Sequence, residues 1–279
     1  MKSFEYFSPD NLKEASELLI QHGEGAHVLN GGTDLITRIH DHITIPEVVV
    51  DIKQIKELNG IRYDEGKGLT IGACVTLNEL GEYPVVVEKY PYLAQAAMLV
   101  GSRQVRNRAT CIGNICNASP LADTATPMIV LDAVVNVYGP EGEKNISIHD
   151  FFVFVRKTCL KPGELVTSIF VPELPKASSG DFLKLSRRKE VDLSTVCATI
   201  LKVEDGYRIG YGAVAPTPVR LRKTETFLQG KELNEDVIKE AVKLAQSEVK
   251  PIDDIRATKE YRTEMVGVLL EKGLKGLAE

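Results

Sequence analysis

The first 55 residues carry a hydrophobic pattern that predicts one helix followed by two strands. Apolar residues recur at helical spacing between Leu12 and Leu19, and Gly23 interrupts the repeat. Ser8 stands where an N-cap is expected, directly before a proline that fits the first helical position. The runs "HVLNGG" and "EVVVDI" are typical of strands, and the first fits a buried, inner strand. The unit has the size of a βαβ motif.

A second unit begins near Gly60 and mixes strand and helix patterns. The runs "LTIGACVTL", "AVVNVYG" and "ELVTSIFVP" predict strands, and "PYLAQAAMLVG" predicts a helix. The segment "PELPKASSGD" that follows has the composition of a linker. We therefore predict a first domain over 1–175, with subdomains of about 1–55 and 56–175, and a second domain over 176–279.

The C-terminal part begins with three strand patterns in series and ends with two amphipathic helices. The strand patterns are "DFLKLSRR", "TVCATILKV" and "YRIGYGAV". One helix is predicted to begin at Asn234 and the other near Thr258. The whole chain is therefore predicted to be an α+β protein in two parts.

Composition and charge place the chain among ordinary globular proteins. Of its 279 residues, 43% are hydrophobic and 26% are charged, and the formal net charge is −5. The densest basic cluster, "SRRK", is followed directly by acidic residues, which argues against nucleic-acid binding. No apolar run approaches the roughly 18 residues of a membrane span, and the N-terminus lacks the apolar core of a signal peptide. We therefore expect a cytoplasmic protein with no membrane span and no nucleic-acid partner.

The five cysteines are odd in number and widely spaced, which favours reduced thiols over a disulfide framework. Only Cys111 and Cys116 lie close together, in "CIGNIC". A metal or iron–sulfur site would need two more sulfurs nearby, and the sequence has none there. We interpret the pair as small, partly buried hydrophobic residues.

Two other motif-like stretches carry little functional weight. "GYGAVA" matches the dinucleotide-binding pattern G-x-G-x-x-A, but Pro216 and Pro218 forbid the helix that should follow it. "HDH", from His40 to His42, has no third ligand nearby and is interpreted as an exposed loop. Neither stretch predicts a binding site.

Two glycine-bearing segments remain as candidates for a site. The first is "NGGTDL", where two adjacent glycines follow a strand, although a turn needs one at most. The second runs from Gly101 to Pro127, is long, polar and irregular, and such stretches tend to be functional. Backbone N–H groups beside glycine can bind a phosphate, and a carboxylate can accept hydrogen bonds from ribose. An ordinary surface loop explains the composition of the second segment equally well.

Taken together, the two segments suggest one dinucleotide held between two loops without a Rossmann helix. The sequence shows no convincing acid–base dyad and no nucleophile, and no catalytic residue is predicted. That absence fits a protein in which a bound cofactor does the chemistry.

The same residues resemble a known family, the FAD-binding medium subunits of the molybdenum hydroxylases, which include xanthine dehydrogenase and carbon monoxide dehydrogenase. "LNGGTDL" is similar to the first flavin loop of that family, usually Ala-Gly-Gly-Thr-Asp-Leu. "QVRNRATCIGNICNASPLADTATP" is similar to its second flavin loop, and "IGYGAVAPTPVR" to its Gly-x-x-Ala-Pro-x-Pro-x-Arg turn. The three motifs occur in the family's order and span nearly the whole chain.

The resemblance implies a fold class and a set of cofactor contacts. The fold is α+β: an FAD-binding fold of two α/β subdomains, similar to vanillyl-alcohol oxidase, followed by a C-terminal α/β domain. The first loop would wrap the pyrophosphate of FAD, and its glycines would let the phosphates touch the main chain. The residues implied at the cofactor are Val28, Leu29, Asn30, Gly31, Gly32, Thr33, Asp34, Leu35, Val100, Thr110, Gly113, Asn114, Ser119, Asp123, Leu165, Val166 and Lys184.

Several of these positions have more specific implied roles. Ser119 and Asp123 would hold ribityl or ribose hydroxyls, and Val100 would lie on the flavin side. Lys184 would approach the isoalloxazine, where a positive group would favour reduced, anionic flavin. Leu165 and Val166 would pack by the adenine or the flavin ring.

One position departs from the family pattern. Ile112 stands where the family usually has a glycine. If that position requires a positive φ, isoleucine is a poor occupant, and weaker FAD binding or a different loop path is expected. The four-cysteine insertion of the hydroxybenzoyl-CoA reductase branch has no counterpart here, so no iron–sulfur cluster is predicted in this chain.

The function implied by the resemblance is electron transfer. The molybdenum-cofactor large subunit hydroxylates a substrate, the small subunit relays electrons through 2Fe-2S clusters, and FAD in this chain would pass them to NAD or another acceptor. Two alternatives remain open: a stand-alone flavin oxidase, for which the sequence shows no substrate base, and a flavin-free scaffold subunit, suggested by Ile112.

Overall fold

The N-terminal unit is a small parallel sheet covered by one helix. The computed structural model describes residues 2–175, 178–204 and 206–277. Within them, β3 lies between β1 and β2 and pairs in parallel with both, as the βαβ prediction requires. The elements of this unit are β1 (Glu5–Phe7), α1 (Leu12–His22), β2 (Ala26–Leu29), α2 (Leu35–His40) and β3 (Val48–Asp51).

The burial of these strands differs from the prediction for "HVLNGG". Every residue of β3 is buried, because β3 is the central strand. Strand β2 lies at the sheet edge, and its Val28 is 36% exposed. The prediction of a buried inner strand for this segment is therefore wrong. An edge strand leaves one side of its chain free to border a cleft.

Helix α1 begins later than its sequence pattern predicts. The side chain of Asn11 accepts a hydrogen bond of 2.9 Å from the backbone N–H of Glu14, so Asn11 is the N-cap. The prediction that Ser8 caps the helix is wrong, since asparagine caps as well as serine and stands closer to the apolar repeat. Gly23 ends the helix as predicted, with a φ of 50°.

A five-stranded antiparallel sheet in the order β4-β5-β10-β6-β7 forms the second unit. Short helices between β5 and β6 cover one side of it, and a core of aliphatic side chains lies between them. The elements are β4 (Ile61–Asp64), β5 (Gly68–Gly72), α3 (Leu77–Glu82), α4 (Pro84–Lys89), α5 (Pro91–Met98), α6 (Arg103–Arg106), α7 (Cys111–Cys116), α8 (Ala125–Val130), β6 (Val134–Gly139), β7 (Gly142–Ser147), α9 (Ile148–Phe151), β8 (Phe152–Phe154), β9 (Lys157–Thr158) and β10 (Leu165–Pro172).

The segment from Gly101 to Pro127 is less irregular than its sequence indicates. It contains α6, α7 and the start of α8. Each of these helices is at most six residues long, and so short a helix shows too few turns for a hydrophobic period to be recognised.

The C-terminal unit is a four-stranded antiparallel sheet with one long helix packed on it and a second long helix packed against the first. The residues that α11 and α12 bury, among them Ile238, Ala241, Val266 and Leu270, share one core with the inner face of this sheet. The elements are β11 (Ser179–Leu185), β12 (Val196–Val203), β13 (Gly206–Gly212), β14 (Val219–Arg220), α10 (Arg222–Leu228), α11 (Glu235–Glu248) and α12 (Lys259–Gly276).

Several predictions for this unit are confirmed. Asn234 and Thr258 cap α11 and α12, accepting hydrogen bonds from the amides of Val237 and Tyr261 at 2.9 and 3.2 Å. After β13 the chain turns at Ala213, whose φ is 66°, and no helix begins before α10. The match of "GYGAVA" to a dinucleotide-binding pattern is therefore coincidental. Two residues near the predicted domain boundary, Lys176 and Ala177, lie outside the described residues.

The cap of α11 permits a stability prediction. Replacing Asn234 by alanine removes the acceptor for the Val237 amide, and we expect a loss of about 1 kcal/mol in the free energy of unfolding. Urea titration followed by circular dichroism measures this loss. The neighbouring exposed residue gives the control, Glu232→Ala, which should leave the transition in place. An unchanged midpoint for Asn234→Ala would show that the cap bond is not formed in solution.

Candidate functional site

A cleft of about 450 Å³ lies between the N-terminal sheet and the second unit. Its walls come from the loop after β2, from α6 and α7, and from the start of β10. Most of the predicted cofactor residues meet here, although they are far apart in the sequence. Those that line the cleft are Val28, Asn30, Gly31, Gly32, Thr33, Asp34, Leu35, Val100, Thr110, Gly113, Asn114, Leu165 and Val166.

The glycine pair of the first loop is required by the protein itself. A Cβ on Gly31 would lie 2.1 Å from the carbonyl oxygen of Arg108, so the first loop touches the main chain before α7. Gly32 has a φ of 76°, a left-handed conformation that favours glycine. The sequence interpretation assigned the glycines to contact with phosphate. The structure supplies a different reason for Gly31, which is direct contact between the two loops.

Beyond the glycines, the first loop presents unused donors to the cleft. Within the described residues, no hydrogen bond uses the backbone N–H groups from Gly31 to Leu35. The carbonyl of Gly32 accepts a hydrogen bond from the Ile36 amide at the start of α2. This bond fixes the loop at its carbonyl and leaves the loop amides without a partner. A run of such amides is suited to binding phosphate oxygens.

Asn30 joins the two loops and also carries an unsatisfied acceptor. Its Nδ2 donates to the carbonyl of Ala73 at 2.6 Å and to Oγ1 of Thr110 at 3.0 Å. Its Oδ1 is buried and has no hydrogen-bond partner in the part of the chain that the structure describes. A buried acceptor without a partner is costly, and a ligand hydroxyl or N–H in the cleft would satisfy it.

A small ionic network links the end of β3 to Asn30. Lys53 Nζ contacts Oδ1 of Asp51 at 2.6 Å and the Asn30 carbonyl at 3.3 Å, and the Tyr6 hydroxyl donates to Asp51 at 2.5 Å. Burial opposes ionisation of Asp51, but the hydrogen bonds from Lys53 and Tyr6 outweigh it and lower the pKa of this carboxyl. Asp51 therefore stays ionised at neutral pH, and the contact of Lys53 with the Asn30 carbonyl links it to the first loop.

The second loop enters the cleft through the first turn of α7. Thr110 caps this helix, accepting from the Gly113 amide at 2.9 Å, and Asn114 accepts from the Thr124 hydroxyl at 2.6 Å. Ile112 is 2% exposed, lies inside α7 and has no positive φ. The expected conflict at this position is therefore absent, because a helical residue does not need glycine's freedom.

Four predicted residues lie outside the lining of the cleft. Leu29, the last residue of β2, is not among the residues that line the cleft. Ser119 accepts from the Leu121 amide at 3.2 Å within its own turn. Asp123 and Lys184 bind each other at 2.6 Å, with side chains only 6% and 8% exposed.

The Asp123–Lys184 pair supports the Val100 end of the cleft from behind. Lys184 donates to the carbonyl of Leu99 at 3.1 Å, and Ser194 donates to the other oxygen of Asp123 at 2.5 Å. Burial raises the pKa of Asp123, while the charge and hydrogen bond of Lys184 oppose that rise. Because Asp123 neutralises the Lys184 ammonium, this lysine does not act as an isolated positive charge.

Other residues of the lining were missed by the sequence interpretation. His27 lies in β2, just before the glycine loop, and its Nδ1 is buried without a partner among the described residues. A polar residue in a strand that leads into this loop could have been recognised in the sequence. Arg156 carried no local signal, because its importance depends on distant partners. The missed residues are His27, Arg38, Thr44, Ile52, Val105, Ala109, Ile112, Cys116, Asn117, Arg156, Leu160 and Glu164.

Thiol and imidazole groups do not form a metal centre in the described residues. Cys111 and Cys116 lie at the two ends of α7, and burial raises the pKa of each thiol to about 12. Both thiols therefore stay protonated, as the hydrophobic interpretation requires. His40 and His42 are both exposed, as expected, but His40 is the last residue of α2 and only His42 lies in the turn after it. Within the same residues, no helix is long and apolar enough to cross a membrane.

The residues present fit an anionic dinucleotide. The first loop, whose amides make no hydrogen bond within the described residues, lines the cleft. The unsatisfied acceptor of Asn30 lies between the loops, and Val28, Val100 and Leu165 supply apolar surface for planar rings. Pockets of this kind combine apolar walls with a few polar groups that fix orientation. The chemistry of the site therefore agrees with FAD.

Comparisons with protein families agree with this chemistry. The model described as "FAD binding domain in molybdopterin dehydrogenase" matches residues 2–174. The model described as "CO dehydrogenase flavoprotein C-terminal domain" matches residues 181–277. Together the two matches span both parts of the chain.

Comparisons with individual proteins give the same result. The chain is 32% identical to the xanthine dehydrogenase FAD-binding subunit of Escherichia coli O157:H7, over 96% of this chain and 93% of that protein. It is 33% identical to the carbon monoxide dehydrogenase medium chain of Afipia carboxidovorans, over 98% and 96%. The structure of carbon monoxide dehydrogenase from Hydrogenophaga pseudoflava superposes with a TM-score of 0.94 at 32% identity, covering 98% of this chain and 96% of that one.

Proposed function

Because the chain belongs to the family of FAD-binding medium subunits of molybdenum hydroxylases, we propose that it is the electron-transfer flavoprotein of such a complex. It would receive electrons from 2Fe-2S clusters of a small subunit and deliver them to NAD or another acceptor. The molybdenum cofactor would reside in a large subunit, since relatives are named as medium chains and one related structure concerns a molybdenum enzyme.

The observation that carries this proposal is the cleft between the two glycine-bearing loops. Its unused amides from Gly31 to Leu35 suit the pyrophosphate, and the Asn30 acceptor suits a sugar hydroxyl or ring N–H. FAD, when bound, supplies the redox chemistry, and the protein supplies binding, orientation and electrostatics. The finding that Ile112 is helical removes the reason for a flavin-free scaffold.

The apolar walls of the cleft would surround part of the cofactor and exclude water from it. Val100, Leu165 and Val166 line the cleft, and their side chains exclude water from the surface they cover. The ion pair between Asp123 and Lys184 holds the backbone at Leu99, next to Val100. We assign the ring end of FAD to this side because the structure gives it apolar walls with a rigid support.

A visible absorption spectrum of the purified chain, followed by titration with FAD, tests the binding step. We expect a bound flavin spectrum or saturable uptake of one FAD per chain. Folded protein that takes up no FAD would contradict the proposal. Anaerobic addition of NADH to the loaded chain then tests the acceptor: bleaching of the flavin absorption supports NAD, and an unchanged spectrum points to a different acceptor.

A further inference from the structure

A short hairpin made of β8 and β9 borders the cleft through Arg156, the residue of the hairpin that lines it. Arg156, in its two-residue turn, donates from Nη1 to Asp34 Oδ2 at 3.0 Å and from Nη2 to Oδ1 at 3.2 Å. The same side chain donates to Asn117 Oδ1 at 2.7 Å, and its amide donates to the carbonyl of Ala118 at 2.9 Å. One residue thus ties the hairpin to both loops of the cleft.

The backbone at Arg156 is unusual for its residue type. Its φ is 56°, a left-handed conformation that glycine or asparagine normally adopts in such a turn. Strained positions of this kind persist where the surrounding structure holds them, and they cluster at ligand clamps. The strain is an observation about the turn that is independent of the hydrogen bonds of the guanidinium.

The base of the hairpin is held by Phe152, which packs against the core, but its tip is exposed. Val153, Phe154 and Val155 are 51%, 56% and 42% exposed, and the ladder consists of two residue pairs. Exposed ion pairs contribute little on average, but a bidentate arginine–carboxylate pair within a network is the favourable exception. The contacts of Arg156 are therefore the main connection between the hairpin and the first loop.

We propose that Arg156 fastens the hairpin to both loops of the cleft and thereby slows the release of bound FAD. It is a positioning residue, and it acts through Asp34 and Asn117. Arg156 and Arg38, whose Nε lies 4.0 Å from the same carboxylate, both offset the negative charge of Asp34 beside the cleft. This inference rests on the proposed function, since it requires FAD in the cleft.

The test measures FAD dissociation from the loaded full-length chain, by the rise in flavin fluorescence after dilution. Arg156→Asn removes the guanidinium and relieves the strain, because asparagine tolerates a left-handed φ. We expect release to be about 10-fold faster although the protein without FAD melts at the same or a higher temperature. A loss of fold therefore cannot explain the faster release.

Asp34→Asn separates fastening from direct phosphate binding. If the arginine acts through Asp34, this variant releases FAD about 5-fold faster, and the double variant releases it no faster than Arg156→Asn alone. If Arg156 instead binds the phosphate directly, Asp34→Asn on its own frees the guanidinium for the phosphate and slows release, and the proposal is wrong. Lys157→Met removes a positive charge from the same hairpin without touching the cleft, and should leave the rate within about two-fold.

The outcomes distinguish this inference from the proposed function. A wild-type chain that binds no FAD overturns the proposed function. A wild-type chain that binds FAD, with Arg156→Asn releasing it at the wild-type rate, overturns only the role of Arg156. Hydrogen exchange of the β8–β9 amides in the FAD-free chain gives a second measurement, and the proposal expects faster exchange in Arg156→Asn.

Discussion

Replacing Gly31 by alanine is expected to weaken FAD binding by about 100-fold, which corresponds to about 2.7 kcal/mol. A Cβ at this position would lie 2.1 Å from the carbonyl oxygen of Arg108 and 2.9 Å from its carbonyl carbon. Both atoms are main chain, so no side-chain rotation relieves the overlap, and the two loops must move apart. Their separation would also stretch the hydrogen bond from Asn30 to Thr110. Titration of the purified variant with FAD measures the loss.

The control for this variant is Gly276→Ala. Gly276 has no left-handed φ, and a Cβ there would meet no atom within 4 Å, so alanine should leave FAD affinity unchanged. Circular dichroism of both variants separates a local change at the cleft from general unfolding. Wild-type affinity in Gly31→Ala would show that the two loops are not in contact as described.

Replacing Lys184 by methionine is expected to lower the free energy of unfolding by about 3–5 kcal/mol. The change leaves Asp123 buried with only the Ser194 hydroxyl as a partner. Methionine keeps most of the side-chain volume, so the expected loss comes from the unpaired carboxylate. Lys275→Met, which breaks an exposed ion pair with Glu271, is the control and should change stability little.

The loss in Lys184→Met should depend on pH. Burial already raises the pKa of Asp123 above its unfolded value, and removing the lysine raises it further. A carboxyl whose folded pKa is raised destabilises the folded state when it is ionised, so the loss is largest at neutral pH. It should shrink as pH falls and Asp123 takes up a proton.

A second substitution tests this explanation. Asp123→Asn in the Lys184→Met background removes the unpaired charge and should recover part of the stability at neutral pH. A loss that stays constant with pH, or a double variant without recovery, would contradict the buried-charge explanation.

The reduction potential of bound flavin is expected to change little in the double variant, because the pair it removes has no net charge.

The sequence by itself determined features that depend on neighbouring residues. The caps of α11 and α12, the end of α1 at Gly23 and the strand "VVVD" follow from local signals and agree with the structure. The two glycine-bearing loops were also identified in the sequence, because glycine pairs and runs of short polar residues are local features. Their resemblance to a flavoprotein family then indicated the cofactor.

Only the tertiary structure decided which distant groups meet. It placed Arg108 against Gly31, Asp123 against Lys184, and Arg156 between the two loops of the cleft. It also placed Ile112 in a helix, where the expected conflict disappears. The physical reason is that periodicity and capping report interactions within a few residues. Ion pairs and close backbone contacts between distant segments depend on how the sheets pack, and no local pattern encodes that packing.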